Sequence, residues 1–267
     1  MANEITEDTT APHIIDYEIT TNQSMVLFFS ERLEAGSATH ISNYGMNDIS
    51  INNARLTDPD SVELSFETPL QNNTHYSLTI AGVEDIFGNT ISSESISFTH
   101  YEISKADSGD IVINEFMYDP PPGPTEYIEL YNSTERSFDL QGSTLNDNTG
   151  RTKVLTNQQF ILPPDSFAVI APDSTLFKSF PGINLLAMGN RFPSLNNGGD
   201  EIIIRKSNGT LIDSLQYRSS WGGNEVSLER RSSSVAGIYR ENWMDASKSP
   251  GSPGQQNTAT PDQTPQN

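Results

Sequence analysis

The chain has 267 residues, a length that suits two domains of roughly 100 to 150 residues better than one. It carries 35 acidic residues against 15 basic ones, for a formal charge of −20. A surface of that sign repels phosphate backbones and disfavours nucleic acid as a partner, because such binding depends on counterion release to Lys and Arg. No cysteine is present, which excludes disulfides, thiolate-held zinc and thiol nucleophiles.

The hydrophobic fraction is only 34%. With abundant Ser, Thr, Asn, Gly and Pro, this predicts many short strands joined by turns. No run approaches the roughly 20 apolar residues that span a bilayer, so membrane insertion is not expected. The start, Met1-Ala-Asn-Glu-Ile-Thr-Glu-Asp, has neither a basic region nor an apolar one. An export signal, if the protein is exported, is expected outside this sequence. Residues 1–10 are polar and aperiodic and read as a disordered leader.

From His13 to Tyr101, apolar alternations recur between turn residues: His13 to Ile19, Met25 to Phe29, Ile49 to Leu56, Val62 to Phe66, Tyr76 to Ile80 and Ile96 to Phe98. Six or seven strands fit. Val62, Leu64 and Phe66 share one face while Ser61, Glu63 and Ser65 share the other, the mark of a half-buried antiparallel strand. Ser37 to Tyr44 predicts a single helical turn that needs tertiary packing. In Gly82-Val-Glu-Asp-Ile-Phe-Gly-Asn, Gly88 and Asn89 are expected in left-handed conformations, with Ile86 and Phe87 plugging inward.

Residues 102–109 break the alternation and read as a linker, which places a first domain at 11–101. The second domain, 110–250, opens with Ile111 to Tyr118, turns through Asp119-Pro-Pro-Pro-Gly-Pro and returns in Glu126 to Asn132. Prolines cannot donate to a ladder and suit an exposed connection. Further strands are expected at Ser137 to Leu145, Lys153 to Leu155, Ser166 to Ile170, Leu185 to Met188, Glu201 to Lys206, Thr210 to Tyr217 and Val226 to Arg231. Asn208-Gly209 marks a hairpin turn, and Ser174 to Phe180 a short helix. Residues 251–267 offer no apolar anchor and read as a disordered Pro/Thr/Gln tail, the kind of segment that leads into further sequence.

Two resemblances cover most of the chain. Residues 11–101 resemble bacterial Ig-like domains, through Val26-Leu-Phe-Phe-Ser-Glu, Ser37-Ala-Thr-His-Ile-Ser-Asn-Tyr, Tyr76-Ser-Leu-Thr-Ile and Asp85-Ile-Phe-Gly-Asn. The second domain is similar to the lamin tail domain, through Ile113-Asn-Glu-Phe, Glu126-Tyr-Ile-Glu-Leu-Tyr-Asn, Phe138 to Asp147, Leu195-Asn-Asn-Gly-Gly-Asp-Glu-Ile, Ser227-Leu-Glu-Arg and a closing Ser249-Pro-Gly. Where that family expects Trp after Gly142-Ser143, this chain has Thr144. The resemblance implies an all-β protein of two Ig-like β-sandwich domains in tandem, with disordered termini. It also implies an extracellular or cell-surface location and no enzymatic activity of the domain itself.

Candidate chemistry is sparse. His13, His40, His75 and His100 are widely spaced and fit no metal or general-base constellation. Glu115, Glu126 and Glu129 lie on two strands and raise a carboxylate pair of the glycosidase kind. Strand parity, however, sends Glu126 and Glu129 to opposite faces. Asn146 to Gly150, and Glu84-Asp85 with Asn89, supply oxygen ligands in turns, enough for weakly held structural calcium and no more. Tyr127, Tyr131, Tyr217, Trp221 and Trp243 include candidates for a sugar-stacking platform. Arg205, Lys206, Arg218, Arg230, Arg231 and Arg240 form a locally basic stretch.

Residues 1–104 carry 16 acidic and 2 basic residues, against 19 and 13 in residues 105–267, so the second domain is the better placed to engage a partner. The sequence therefore assigns no catalytic, cofactor-binding or metal-ligating residue. It predicts a non-catalytic structural and interaction pair, a spacer followed by a domain that docks a protein or cell-surface partner. The alternative is a module for calcium, glycan or an anionic polymer, accessory to a secreted hydrolase.

Overall fold

The computed structural model describes residues 8–123, 125–147 and 149–258. The first seven residues of the expected leader and residues 259–267 of the expected tail lie outside these. Strands dominate, and among the described residues the one α-helix is the single turn Ala35–Ala38. The chain divides into two compact units, Met1–Glu102 and Ile103–Asn267.

In the first unit, one antiparallel sheet runs in the order Ile14–Thr21, Ser24–Phe29, Ser61–Phe66, Ile51–Asp58, and the other in the order Tyr44–Met46, Thr74–Ile80, Glu94–His100. Met25, Leu27, Val62 and Leu64 from the first sheet share one core with Tyr76, Leu78, Ile80 and Phe98 from the second, which makes the unit a sandwich. The helical turn is capped by the Glu34 carboxylate, which accepts from the backbone N–H groups of Gly36 and Ser37, and is followed by a 3-10 turn at Ile41–Asn43.

The loop at 82–89 departs from expectation. Gly88 has a φ of 90° but Asn89 is not left-handed, and Ile86 and Phe87 are 52% and 65% exposed. Asp85 takes the interior place instead. Its carboxylate accepts from the N–H groups of Phe87 and Asn89, a hydrogen-bonded turn that needs no apolar plug.

The second unit is built on a six-stranded sheet in the order Leu185–Ala187, Phe167–Ala171, Tyr127–Asn132, Ile111–Met117, Leu228–Arg230, Trp243–Asp245. Opposite it lies a four-stranded sheet, Thr152–Val154, Thr144–Asn146, Gly199–Arg205, Leu211–Arg218. Ile113, Phe116, Ile128 and Leu130 of the first meet Leu145, Ile202, Ile204 and Leu215 of the second in one core. The single strand expected over Ser137 to Leu145 is two strands in different sheets. Between them Gly142 turns the chain with a φ of 72°, and Asp139 accepts from Gln141 N–H.

Both ends of this unit extend beyond the boundaries read from the sequence. Residues 102–109 are not a free linker: Ile103 and Ser104 pair in parallel with Ser137 and Phe138, and Ala106 enters the core. Gly251–Thr258, assigned to the tail, is bound onto the sheet by the hydrogen bonds described below. The Ile111–Met117 strand is consequently buried at every position, because the outer face of its sheet is covered as well. There Met117, Tyr127, Val169 and Ala171 pack against Leu176 and Ile183 in a second, smaller cluster.

Phe116 is fully buried, with its ring centroid 5.0 Å from Tyr217 and 5.1 Å from Trp243. Phe116→Ala is expected to destabilise the second unit by about 3–5 kcal/mol. Both tryptophans, Trp221 and Trp243, lie in this unit, so urea denaturation followed by tryptophan fluorescence reads it directly. A loss under about 1 kcal/mol would show that this layer is loosely packed.

Candidate functional site

Three strands bring three carboxylates together. Glu129 stands opposite Glu115, and Glu115 opposite Glu229, so the side chains line one face of adjacent strands. All three are 0% exposed. Directly opposed like charges repel, and a buried carboxylate loses its hydration, so this row persists only if donors surround it.

The donors come largely from the C-terminal strap, residues 249–258. Ser252 gives its N–H to Glu115 Oε1 at 2.9 Å and its hydroxyl to Glu229 Oε1 at 2.7 Å. Thr258 donates its hydroxyl to Glu229 Oε2 at 2.8 Å, and Gly254 N–H donates to Glu129 Oε2. From the sheet itself, the Tyr127 and Ser227 hydroxyls donate to Glu115 Oε1. A bulge between Glu115 and Ile113 inserts Asn114, whose amide donates to Glu129 Oε1 at 2.7 Å and to Asn257 Oδ1 at 2.8 Å. Gly251, at a φ of 152°, lies so close that a Cβ there would overlap the Glu115 carboxylate and the Ser227 and Tyr127 hydroxyls.

Burial pushes the Glu115 carboxyl up from its ordinary range; its hydroxyl and N–H donors oppose that rise, and Glu229 adds to it. Glu129 is pushed well above the ordinary value, first by burial and then by the charge of Glu115. The cluster therefore retains protons that free carboxylates would release. Beneath it, buried Arg230 donates to Asp213 Oδ2 at 2.6 Å and to the carbonyls of Ile113 and Val235, tying the same sheet to the four-stranded one.

The carboxylate pair raised from the sequence is thus real for Glu115 and Glu129 but lies sealed under the strap. Glu126 is elsewhere, as strand parity required, accepting from Leu195 N–H at 3.0 Å and from the Ser194 hydroxyl. His13, His40 and His75 are exposed and His100 is buried. Of the two turns considered for calcium, Asp147 accepts from Thr149 N–H and hydroxyl, and Asn148 lies outside the described residues. Asp85 is engaged as described, with Asp8 and Glu31 placing carboxylate oxygens within 4.8 Å of it and of each other.

Most of the aromatic and basic candidates are structural. Tyr127, Tyr217 and Trp243 are buried, and Trp221 carries Arg240 over its ring. Arg205, Lys206 and Arg240 give hydrogen bonds to the backbone carbonyls of Gly209, Ala106 and Trp243. Tyr131 remains half-exposed. It stacks on Phe167 with centroids 4.8 Å apart and an interplanar angle of 25°. This pair borders a groove of about 530 Å³, whose other walls include Asp165, Arg231 and strap residues Gln256 and Asn257. Phe167 and the strap were missed from the sequence. The signal available was the closing Ser249-Pro-Gly of the family resemblance.

Comparison with known proteins agrees with the two-unit division. The family described as Bacterial Ig-like domain matches residues 4–100, and the Lamin Tail Domain family matches residues 104–219. No curated protein matches the chain. Among solved structures, it is similar to the N-terminal part of the bacterial S-layer protein SbsC, at 9% identity over 78% of this chain and 44% of that one, with a TM-score of 0.34. An L,D-transpeptidase from Mycobacterium smegmatis gives 10%, 61%, 82% and 0.25 in the same order. Dimeric latent PorU from Porphyromonas gingivalis gives 13%, 81%, 21% and 0.23. The chain spans less than half the length of the S-layer fragment.

The raised carboxyls have a signed consequence. Their contribution to stability is fully present below the unfolded carboxyl value of 4.5 and is lost as pH rises through the higher folded values. Each retained proton costs about 1.4 kcal/mol per pH unit across that window. The melting temperature of the second unit is expected to fall from pH 5 to pH 9, and Glu129→Gln to flatten the fall. An equally steep profile in the variant would locate the effect outside the cluster.

Strap attachment is tested by Ser252→Ala, which leaves Glu229 without one donor, and by Gly251→Ala. The first is expected to cost about 1–3 kcal/mol, and the second to release the strap so that amides of residues 251–258 exchange rapidly with solvent. Unchanged amide protection in Gly251→Ala would show that the strap is held by something other than this cluster.

Proposed function

From a chain that joins a bacterial Ig-like domain to a lamin tail domain, we propose a non-catalytic structural and interaction pair in a bacterial protein displayed at the cell surface or secreted. The first unit is the spacer. The second docks the protein to a cell-surface partner. One observation carries this reading: the carboxylate row, the most acid-base-competent group among the described residues, is sealed from solvent and saturated with donors. A general acid or nucleophile must reach its substrate within hydrogen-bonding distance, and these carboxylates are committed to holding the strap. Function then belongs to surfaces, as expected when a fold supplies the scaffold and the site must be argued separately. Among the described residues, no helix is long and apolar enough to cross a membrane.

The purified chain is expected to show no nuclease, phosphatase or glycosidase turnover, while the labelled chain sediments with bacterial cell envelopes. Turnover that disappears in Glu115→Gln, with the fold intact by circular dichroism, would overturn the non-catalytic reading. Failure to sediment with envelopes would overturn the docking one.

A further inference from the structure

Resting on the docking reading of the second unit, we propose that the groove beside the strap is a saccharide-binding site. The Tyr131–Phe167 ring pair is its platform, and Asp165, Arg231 and Gln256 form its hydrogen-bonding rim. The groove measures about 530 Å³, inside the range of roughly 300–1,000 Å³ typical of small-molecule sites, and has room for a short oligosaccharide.

The position of the rings is the first support. Tyr131 and Phe167 are register partners on adjacent strands, on the outer face that the strap and the Leu176 and Ile183 segment otherwise cover. Both stay half-exposed, so the platform sits at a gap in that cover. It is also preorganised: the Tyr131 hydroxyl donates to Asp165 Oδ1, and stacking on Phe167 fixes the other ring. A rigid amphipathic aromatic surface loses little entropy on binding.

The second support is the chemistry of the walls. Asn257 gives its amide to the carbonyls of Asn114 and Arg230 and accepts from the Asn114 amide, so the strap side is a fixed wall. Gln256 is exposed at its edge and offers both donor and acceptor. Asp165 accepts, and Arg231, which reaches the Glu241 carbonyl at 3.5 Å, donates.

A pyranose presents an apolar C–H face for the rings and hydroxyls that donate and accept for the rim. The walls carry charges of both signs, Asp165 and Arg231, and Arg230 is already neutralised by Asp213. A polyanion finds no excess of cations here and meets a chain of charge −20. A purely apolar ligand would displace water from the polar rim of Asp165, Arg231 and Gln256 without replacing its hydrogen bonds, at a cost.

The test is an array of neutral, N-acetylated and uronic oligosaccharides probed with the full chain, its best responder then titrated calorimetrically. Saturable binding is expected, weakened about tenfold or more, equivalent to about 1.4 kcal/mol, by Phe167→Ala and by Arg231→Ala. Trp221→Ala, outside the groove, is expected to bind as the parent does. Because Phe167→Ala disturbs a sheet position, Gln256→Trp supplies a second variant that fills the groove from an exposed residue, and it too is expected to abolish binding. Silence across the array, or undiminished binding by Gln256→Trp, overturns the site. Where either occurs while the chain still sediments with envelopes, the groove fails and the docking reading stands; loss of envelope binding as well overturns both.

Discussion

The second unit depends on one arrangement, a row of carboxylates across three central strands closed over by a C-terminal strap. Each half is untenable alone. Uncovered, Glu115, Glu129 and Glu229 would repel one another across a sheet face; unanchored, the strap has little to fold against. Together, Ser252, Gly254 and Thr258 satisfy the carboxylates, and the carboxylates fix the strap. Hydrogen bonds to charged acceptors, or to carboxyls that share protons, are worth more than neutral ones, and the sealed setting strengthens them further.

That closure determines where function can reside. With the sandwich core on one side of the sheet and the strap over the acidic row on the other, the carboxylates of Glu115, Glu129 and Glu229 are buried and do not line an open cleft. What stays open is the margin of the cover, where Tyr131 and Phe167 face a groove with the strap as one wall. The strap is therefore both the lid on the acidic row and one wall of the groove bordered by Tyr131 and Phe167.

The fold was largely legible in the sequence. Alternation in Ser61–Phe66 gave the correct buried face, with Val62, Leu64 and Phe66 inside, and parity correctly separated Glu126 from Glu129. The strap was illegible for a definite physical reason. Its attachment is polar, through Ser, Gly, Asn and Thr to buried carboxylates, so a reading that looks for apolar anchors sees only a linker. The same cause hid the burial of Glu115 and Glu129, which look like solvent-facing strand residues until the strap covers them. Hydrophobicity alone points Ile86 and Phe87 inward, but the hydrogen bonds of the Asp85 turn are the stronger local determinant and leave both side chains exposed. Splitting of Ser137 to Leu145 between two sheets depended on a glycine turn that alternation passes over.

A row of apolar residues could fill the same space without the desolvation cost, and such replacements often stabilise proteins. What the acidic row adds is register. A one-residue slip of the Tyr127–Asn132 strand would carry Glu129 into the sandwich core and bring Ile128 or Leu130 under the strap. There the Gly254 N–H and the Asn114 amide would lose their acceptor. A one-residue mispairing of the Tyr127–Asn132 strand thus puts a carboxylate on one side and leaves donors unmatched on the other, a penalty that a row of aliphatic residues facing no donors would not impose. The groove shares that sensitivity through the neighbouring pairing, because Tyr131 and Phe167 stand side by side only when Val169 lies opposite Glu129.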